Sequence, residues 1–328
     1  YWKFIRTAIN LIVDYYNYSL DLPHTKIKLH HRELNTKEQI ALAKANLTIP
    51  NIKESLIDYH NFILDVLKNN VKNFDDIQNI TIIEYVLFLV KLRILSVGNT
   101  IEFLMKDTDK KTKIQLDLKS YLVNLYKASS FFENPDNNIV IENNISIKLN
   151  WPFVKSINVF NDFIIADKNI YESINDSIQE FIEYIKIDNK IIQFNAFNSK
   201  QKNDLLDSLP MHLKIKTQNQ IFEALKQLIT SEVFDVSIFK EQRFNIYNLS
   251  FIEHVKMIFS YDVKSIYSEI YFLASCSLEP NYVMTLSPSE RKVYISIIQE
   301  NRSKKDGNSS QTSNAIKDLA LEFGEQVP

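Results

Sequence analysis

The chain has 328 residues, 45% of them hydrophobic and 24% charged, a composition that supports a folded core and excludes general disorder. Lys and Arg total 38 against 40 Asp and Glu, so the net charge of −2 gives none of the clustered positive charge that general nucleic-acid binding requires. The three Gly, at 98, 307 and 324, are too far apart for a phosphate-cradling loop or a Gly-x-Ser-x-Gly nucleophile elbow.

The opening Tyr1 to Val13 places Lys3 and Arg6 before a short apolar patch. The patch is shorter than a signal-peptide core and lacks a small-residue cleavage site, so a soluble cytoplasmic chain is expected. Residues 1–20 read as a separate aromatic segment, with Tyr15, Tyr16 and Tyr18 close together. From Leu22 to Leu34, Ile27 and Leu29 alternate with Lys26 and Lys28, which predicts a strand. Thr36 with Gln39 reads as a capping box opening a helix over about 37–47. A second helix over about 52–70 carries Leu56, Tyr59, Ile63 and Leu67 as its apolar stripe. Thr81 with Glu84 caps a third, apolar on nearly every side through Val90 and stopped near Gly98; it is expected at the centre of the first domain. It also lies in the nearest approach to a membrane span, Tyr85 to Leu95, which Lys91 and Arg93 interrupt well short of about 20 residues.

From Ile101 the period becomes two. Ile101 to Met105 and Lys113 to Leu118 predict two strands joined by a polar turn, and Ile145, Ile147 and Leu149 predict another before Trp151-Pro152. Ile170, Ile174, Ile178, Phe181, Ile182 and Ile185 sit at helical spacing. A short helix over 199–209 is stopped by Pro210; Met211, Leu213 and Ile215 then alternate as a strand, and Ile221 to Leu228 reads as a helix. From about Phe234 the pattern is helical, with capping boxes at Ser250/Glu253 and Ser287/Glu290 and with Val293, Tyr294, Ile297 and Ile298 on one face of the last helix. The stretch after Asn301 is polar, and Ala315 to Phe323 has the pattern of a short helix that orders on a partner.

The expected fold class is therefore α+β. Mixed helices and short antiparallel strands occupy the N-terminal two thirds, and the C-terminal part is all-helical. The expected divisions are 1–20, 21–232, 233–302 and a polar tail over 303–328.

Chemistry-bearing residues are sparse in pattern. His30 and His31 are neighbours on a predicted strand and point to opposite faces, and His24, His60, His212 and His254 stand alone. With one cysteine, Cys276, no disulfide and no thiolate metal site is possible within the chain, and its apolar neighbours predict a buried thiol. Glu180 and Glu183, one turn apart on the predicted helix, have the spacing of paired acids, which is also the spacing of an ordinary acidic face. No catalytic residue, metal ligand or cofactor is assigned. Tyr offers contact area at low entropic cost, so Tyr261, Tyr267, Tyr271, Tyr282 and Tyr294, with Arg291, are the candidate interaction residues.

Three ordered stretches resemble the baseplate hub proteins of T-even-type contractile-tailed phages. They are Leu22-Pro23-His24-Thr25-Lys26-Ile27-Lys28-Leu29, then Phe88-Leu89-Val90-Lys91-Leu92-Arg93-Ile94-Leu95-Ser96-Val97-Gly98, and Leu205-Leu206-Asp207-Ser208-Leu209-Pro210 followed by a strand and a helix. The likeness covers about 20–230. Leu286-Ser287-Pro288-Ser289-Glu290-Arg291-Lys292-Val293-Tyr294 resembles the Pro-x-Glu-Arg-x-x-Tyr helix start of the small distal hub subunits. The resemblance implies a structural subunit of the tail baseplate hub, assembled in the host cytoplasm. Its implied partners are other hub or tape-measure proteins in a symmetric oligomer. It implies no catalysis, nucleic acid or membrane span. A transient assembly chaperone is the alternative, and a hub-borne cell-wall hydrolase is the enzymatic rival. Many relatives carry Cys-rich, zinc-ribbon-like hairpins; here Lys106 to Lys113 and Lys214 to Gln218 hold no Cys, so packing alone is expected to hold them.

Overall fold

The computed structural model describes residues 16–48, 53–107, 110–133, 139–142, 144–156, 178–230, 235–237, 243–245 and 251–305. The first elements are β1 (Tyr18–Asp21), β2 (Lys28–His31), α1 (Thr36–Thr48), α2 (Lys53–Lys68) and α3 (Ile82–Ser96). Then come β3 (Thr100–Asp107), β4 (Lys110–Asp117), α4 (Leu118–Ser129), β5 (Ile139–Glu142), β6 (Ile145–Leu149), β7 (Ile182–Ile187) and β8 (Lys190–Gln193). The remainder are α5 (Ser199–Asp207), α6 (Met211–Thr230), β9 (Asp235–Ser237), β10 (Arg243–Asn245), α7 (Phe251–Ile258), α8 (Lys264–Ser275), α9 (Pro280–Val283) and α10 (Pro288–Lys305). Mixed helices and short antiparallel strands are thus the observed class. The chain forms two compact units, one of Tyr1–Arg32 with Leu42–Tyr261, the other of Glu33–Ala41 with Asp262–Pro328.

The first unit is built around α3. Every residue from Ile82 to Val90 is buried, as an all-round apolar helix requires. Thr81 and Glu84 form the expected capping box, and Gly98 takes φ +127° just past the helix end. Burying side chains such as Leu87, Phe88 and Leu89 contributes roughly 1.5–3 kcal/mol each. The β1–β2 hairpin pairs Tyr18 with His31 and Leu20 with Leu29. The β3–β4 hairpin runs from Thr100↔Asp117 to Asp107↔Lys110. A four-stranded antiparallel sheet in the order β5-β6-β7-β8 turns Ile139, Ile141, Ile147, Leu149, Ile182 and Ile185 inward. Trp151, beyond β6, donates from Nε1 to Ala128 O at 2.8 Å, tying the sheet to the end of α4.

In the second unit the N-terminal part of α1 meets α8, α9 and α10. The free amides of Thr36 and Lys37 donate to the carbonyls of Leu286 and Met284 at 2.9 and 3.0 Å, so the start of α1 is satisfied by the end of α9. Ile266, Leu273, Leu278, Val283, Leu286, Tyr294 and Ile298 form the core.

Several sequence expectations are corrected. The predicted helix through Ile178, Phe181, Ile182 and Ile185 is a 3₁₀ turn over Ile178–Phe181 followed by strand β7. A bulge skips Glu183 in the pairing (Lys148↔Tyr184, then Leu149↔Ile182), so Ile182 and Ile185 share the buried face despite their odd spacing. Ile170 and Ile174 lie outside the described residues. Met211, Leu213 and Ile215 belong to α6 and not to a strand; Thr217 and Ile221 are its buried stripe, and Met211 and Ile215 are exposed. No hairpin therefore follows Pro210. The box at α1 is one residue earlier than read: the amides of Asn35 and Glu38 donate to each other's side chains at 2.9 Å, while Thr36 Oγ1 donates to Leu286 O. The strand expected over 22–34 is confined to Lys28–His31. The all-helical reading holds from Phe251 to Lys305, but β9 and β10 form an antiparallel pair before it. On α10 the Ser287/Glu290 box is present, while Val293 is exposed and Tyr294 and Ile298 are buried. Ser250, the N-terminal segment 1–15 and the tail beyond 305 lie outside the described residues.

Candidate functional site

Three buried polar anchors hold the elements of the first unit that carry the resemblance, and one of them, Arg93, lies within a quoted stretch. Glu84, in the first turn of α3, has a fully buried carboxylate. Its Oε1 accepts from the backbone amides of His24 and Thr25 at 2.8 and 2.9 Å. Its Oε2 accepts from the Thr81 amide at 3.2 Å and from Thr81 Oγ1 at 3.1 Å. One carboxylate therefore caps α3 and clamps the Pro23–Lys26 loop onto it. Lys26, with φ 59°, turns that loop.

At the other end of α3, Arg93 donates to Gly98 O at 2.5 Å and to Thr100 O at 3.3 Å, and lies over the Tyr261 ring at 5.2 Å. It thereby fixes the helix end, the Gly98 turn and the start of β3. Burial pulls its guanidinium down to about 10, and burial raises the Tyr261 phenol.

The third anchor is an ion pair. Lys202 on α5 meets Glu180 at 2.6 Å with both groups buried, fixing α5 to the turn that feeds β7. Glu180 is thus an internal counter-ion and not one of a pair with Glu183, which lies on β7. Its signal in the sequence is an acid beside Ile178, Phe181 and Ile182, with a lysine on the next helix.

His30 is half-buried and His31 fully buried, as the strand alternation predicted. His31 stacks on Tyr18 and meets the edge of Phe88, and His60 packs edge-on to Tyr85. Burial lowers both imidazoles to about 4. Among the described residues, no group of three or more His, Cys, Asp and Glu stands where it could hold a metal ion, and no helix is long and apolar enough to cross a membrane.

The candidate interaction residues separate by exposure. Tyr271 is 78% exposed and Tyr267 45%, one turn apart on α8. Tyr282 is half-buried and shares a 2.8 Å hydroxyl hydrogen bond with Tyr294, which is 1% exposed. Arg291 is buried too, donating to Glu269 at 2.7 Å and to Thr36 Oγ1 at 2.6 Å. Tyr294 and Arg291 therefore sit in the core of the second unit, and Tyr261 sits under Arg93. Cys276 is half-buried and not buried as expected. It ends α8 with its Sγ 3.0 Å from Arg302 Nη2.

Residues 15–249 match the family described as T4 bacteriophage base plate protein, and that span holds all three anchors. The chain belongs to this family. No curated protein and no solved structure matches it. As a T4-type phage baseplate protein it belongs with the structural proteins of the virion tail and interacts with other phage proteins. The matched span stops short of Tyr261, Tyr267, Tyr271, Tyr282, Arg291 and Tyr294.

Proposed function

We propose that the chain is a structural subunit of the hub at the centre of a contractile-tail baseplate. It is assembled in the host cytoplasm, retained in the particle, and acts by protein–protein contact without a reacting group. Family membership supplies the baseplate, and the Leu22–Leu29, Phe88–Gly98 and Leu205–Pro210 stretches supply the hub. The observation that carries the reading is the use of the charged residues in the matched span. Glu84, Arg93, Lys202 and Glu180 are occupied in holding loops, a hairpin and a helix in place, and so give rigid surfaces for assembly. The partners are other hub or tape-measure proteins arranged in a symmetric oligomer. Tyr267 and Tyr271 are the candidate interaction residues with area to offer one.

Mass spectrometry of purified tails and of assembly intermediates tests the proposal. Recovery of the chain from mature tails supports a retained subunit. Recovery from intermediates alone makes it the transient chaperone. Clearing of peptidoglycan by the purified chain, lost on substituting a single carboxylate, would overturn the non-enzymatic reading.

A further inference from the structure

The two edges of the four-stranded sheet are treated differently. Helix α6 packs against β5, and Lys216 on it donates its ammonium to Ile141 O, a carbonyl of that edge strand. Strand β8, at the opposite edge, pairs only with β7 among the described strands, and Lys190, Ile191 and Gln193 on it are exposed.

Register identifies the free backbone groups. The two-residue turn Asp188–Asn189 is closed by the pair Ile187↔Lys190, a hydrogen-bonded pair in a two-residue hairpin. The next pair, Lys186↔Ile191, is then non-bonded, as is Tyr184↔Gln193. The N–H and C=O groups of Ile191 and the N–H of Gln193 therefore point away from β7, along the open edge; the C=O of Gln193 caps the 3₁₀ turn Phe194–Ala196. The edge is also pre-set, because Asp188 holds φ 52° and its amide donates to Asn144 O at 2.7 Å, tying the turn to the β5–β6 turn. On the solvent face Ile191 is 54% exposed and Val140 63%, aligned through Lys186 and Ser146 in one cross-strand row. Lys186 and Lys190 are exposed, and among the described residues neither is paired with a carboxylate.

We infer that β8 is a docking edge that takes an extended segment of another baseplate protein as a fifth strand, a segment with apolar residues facing Ile191 and carboxylates facing Lys186 and Lys190. The commitment to a different, acidic protein rests on charge: the β8 edge of a second copy, Lys190–Gln193, carries no carboxylate to meet Lys186 and Lys190. Backbone pairing supplies the adhesion, and the lysines select the partner.

This inference rests on the baseplate reading, and one experiment separates the two. The full-length chain and two variants are expressed during infection in place of the resident copy, and incorporation into tails and intermediates is quantified. Ile191→Pro removes an outward amide while leaving the β7 ladder intact. Lys186→Glu with Lys190→Glu reverses the charge. Each is expected to lower incorporation at least about tenfold while the purified chain keeps its circular dichroism and melting temperature. A photo-cross-linker at position 191 of the otherwise unchanged chain is expected to capture an acidic segment of a different baseplate protein. Wild-type incorporation of either folded variant overturns the docking edge, and so does a cross-link to residues 157–177 of this chain or to a second copy. If Ile191→Pro fails to fold, the charge reversal and the cross-link decide. Absence of the wild-type chain from both tails and intermediates overturns the baseplate reading instead.

Discussion

Arg93 in the first unit and Arg291 in the second are both almost wholly buried, but their partners differ in kind. Arg93 meets carbonyl oxygens and an aromatic face. Arg291 meets a carboxylate, Glu269, as well as a hydroxyl and a carbonyl. Their positions explain the contrast. Arg93 lies in the last turn of α3, where the helix dipole favours a cation, so partial charges suffice. Arg291 lies just after the start of α10, where the dipole opposes a cation, so a full counter-charge is needed. Glu84 completes the pattern: it is an anion in the first turn of α3, satisfied by amides. Helix α3 thus carries two buried ions of opposite sign, each at the end that stabilises it.

The sharpest way to break this comparison is Glu84→Ala. It leaves the amides of His24, Thr25 and Thr81 without their acceptor and is expected to cost about 4 kcal/mol in urea unfolding. A loss below about 1 kcal/mol would mean that the clamp is ornamental. Arg93→Met should cost about 3 kcal/mol, with little dependence on salt.

Acid should distinguish the units next. His31 and His60 both lie in the first unit, and their folded pKa of about 4 is below the ordinary 6.5. The unfolded chain therefore binds more protons between those values. The stability these groups contribute is full above pH 6.5 and is lost as pH falls toward 4, by up to about 3 kcal/mol each. Hydrogen exchange at pH 7 and pH 5 should show the loss in amides around α2 and α3 and not in α8 or α10. Equal loss in both units would remove the histidines as its cause.

Arg291→Met should cost about 2 kcal/mol, less than its burial alone suggests, because Glu269 is about one-third exposed and can regain water. Added salt should shrink the difference from wild type. The smallest effect is a gain. Ser277 ends α8 at φ 72° in a six-to-one turn, its amide donating to Ala274 O and that of Leu278 to Leu273 O. Ser277→Gly should stabilise the second unit by about 0.5–1 kcal/mol, read as a rise in its melting temperature.

How much of this was legible in the sequence depended on whether one local rule acted alone. Helix α3, with its box and its Gly98 stop, and the Ser287/Glu290 start of α10 follow from propensity and capping chemistry. Strand β7 was misread because a bulge at Glu183 reproduces a helical spacing, and the pairing that creates the bulge is not local. Helix α6 was split because its buried stripe uses Thr217, which an apolar count passes over. The three anchors were half visible. Glu84 is legible as a capping residue, Arg93 as a charge that interrupts an apolar run, and Glu180 only as an acid one turn from Glu183; their partners at positions 24, 98 and 202 are set by tertiary structure. Exposure at Tyr271 and burial at Tyr294 follow from which side of a helix each occupies, and neither residue's sequence neighbours decide that.

Lys216 and α6 on β5 have a consequence for how far any growth of the sheet can go. A sheet with two bare edges is a template for unlimited stacking; one with a sealed side can be lengthened once and then stops. Covering β5 thus leaves β8 as the side from which the sheet can be extended.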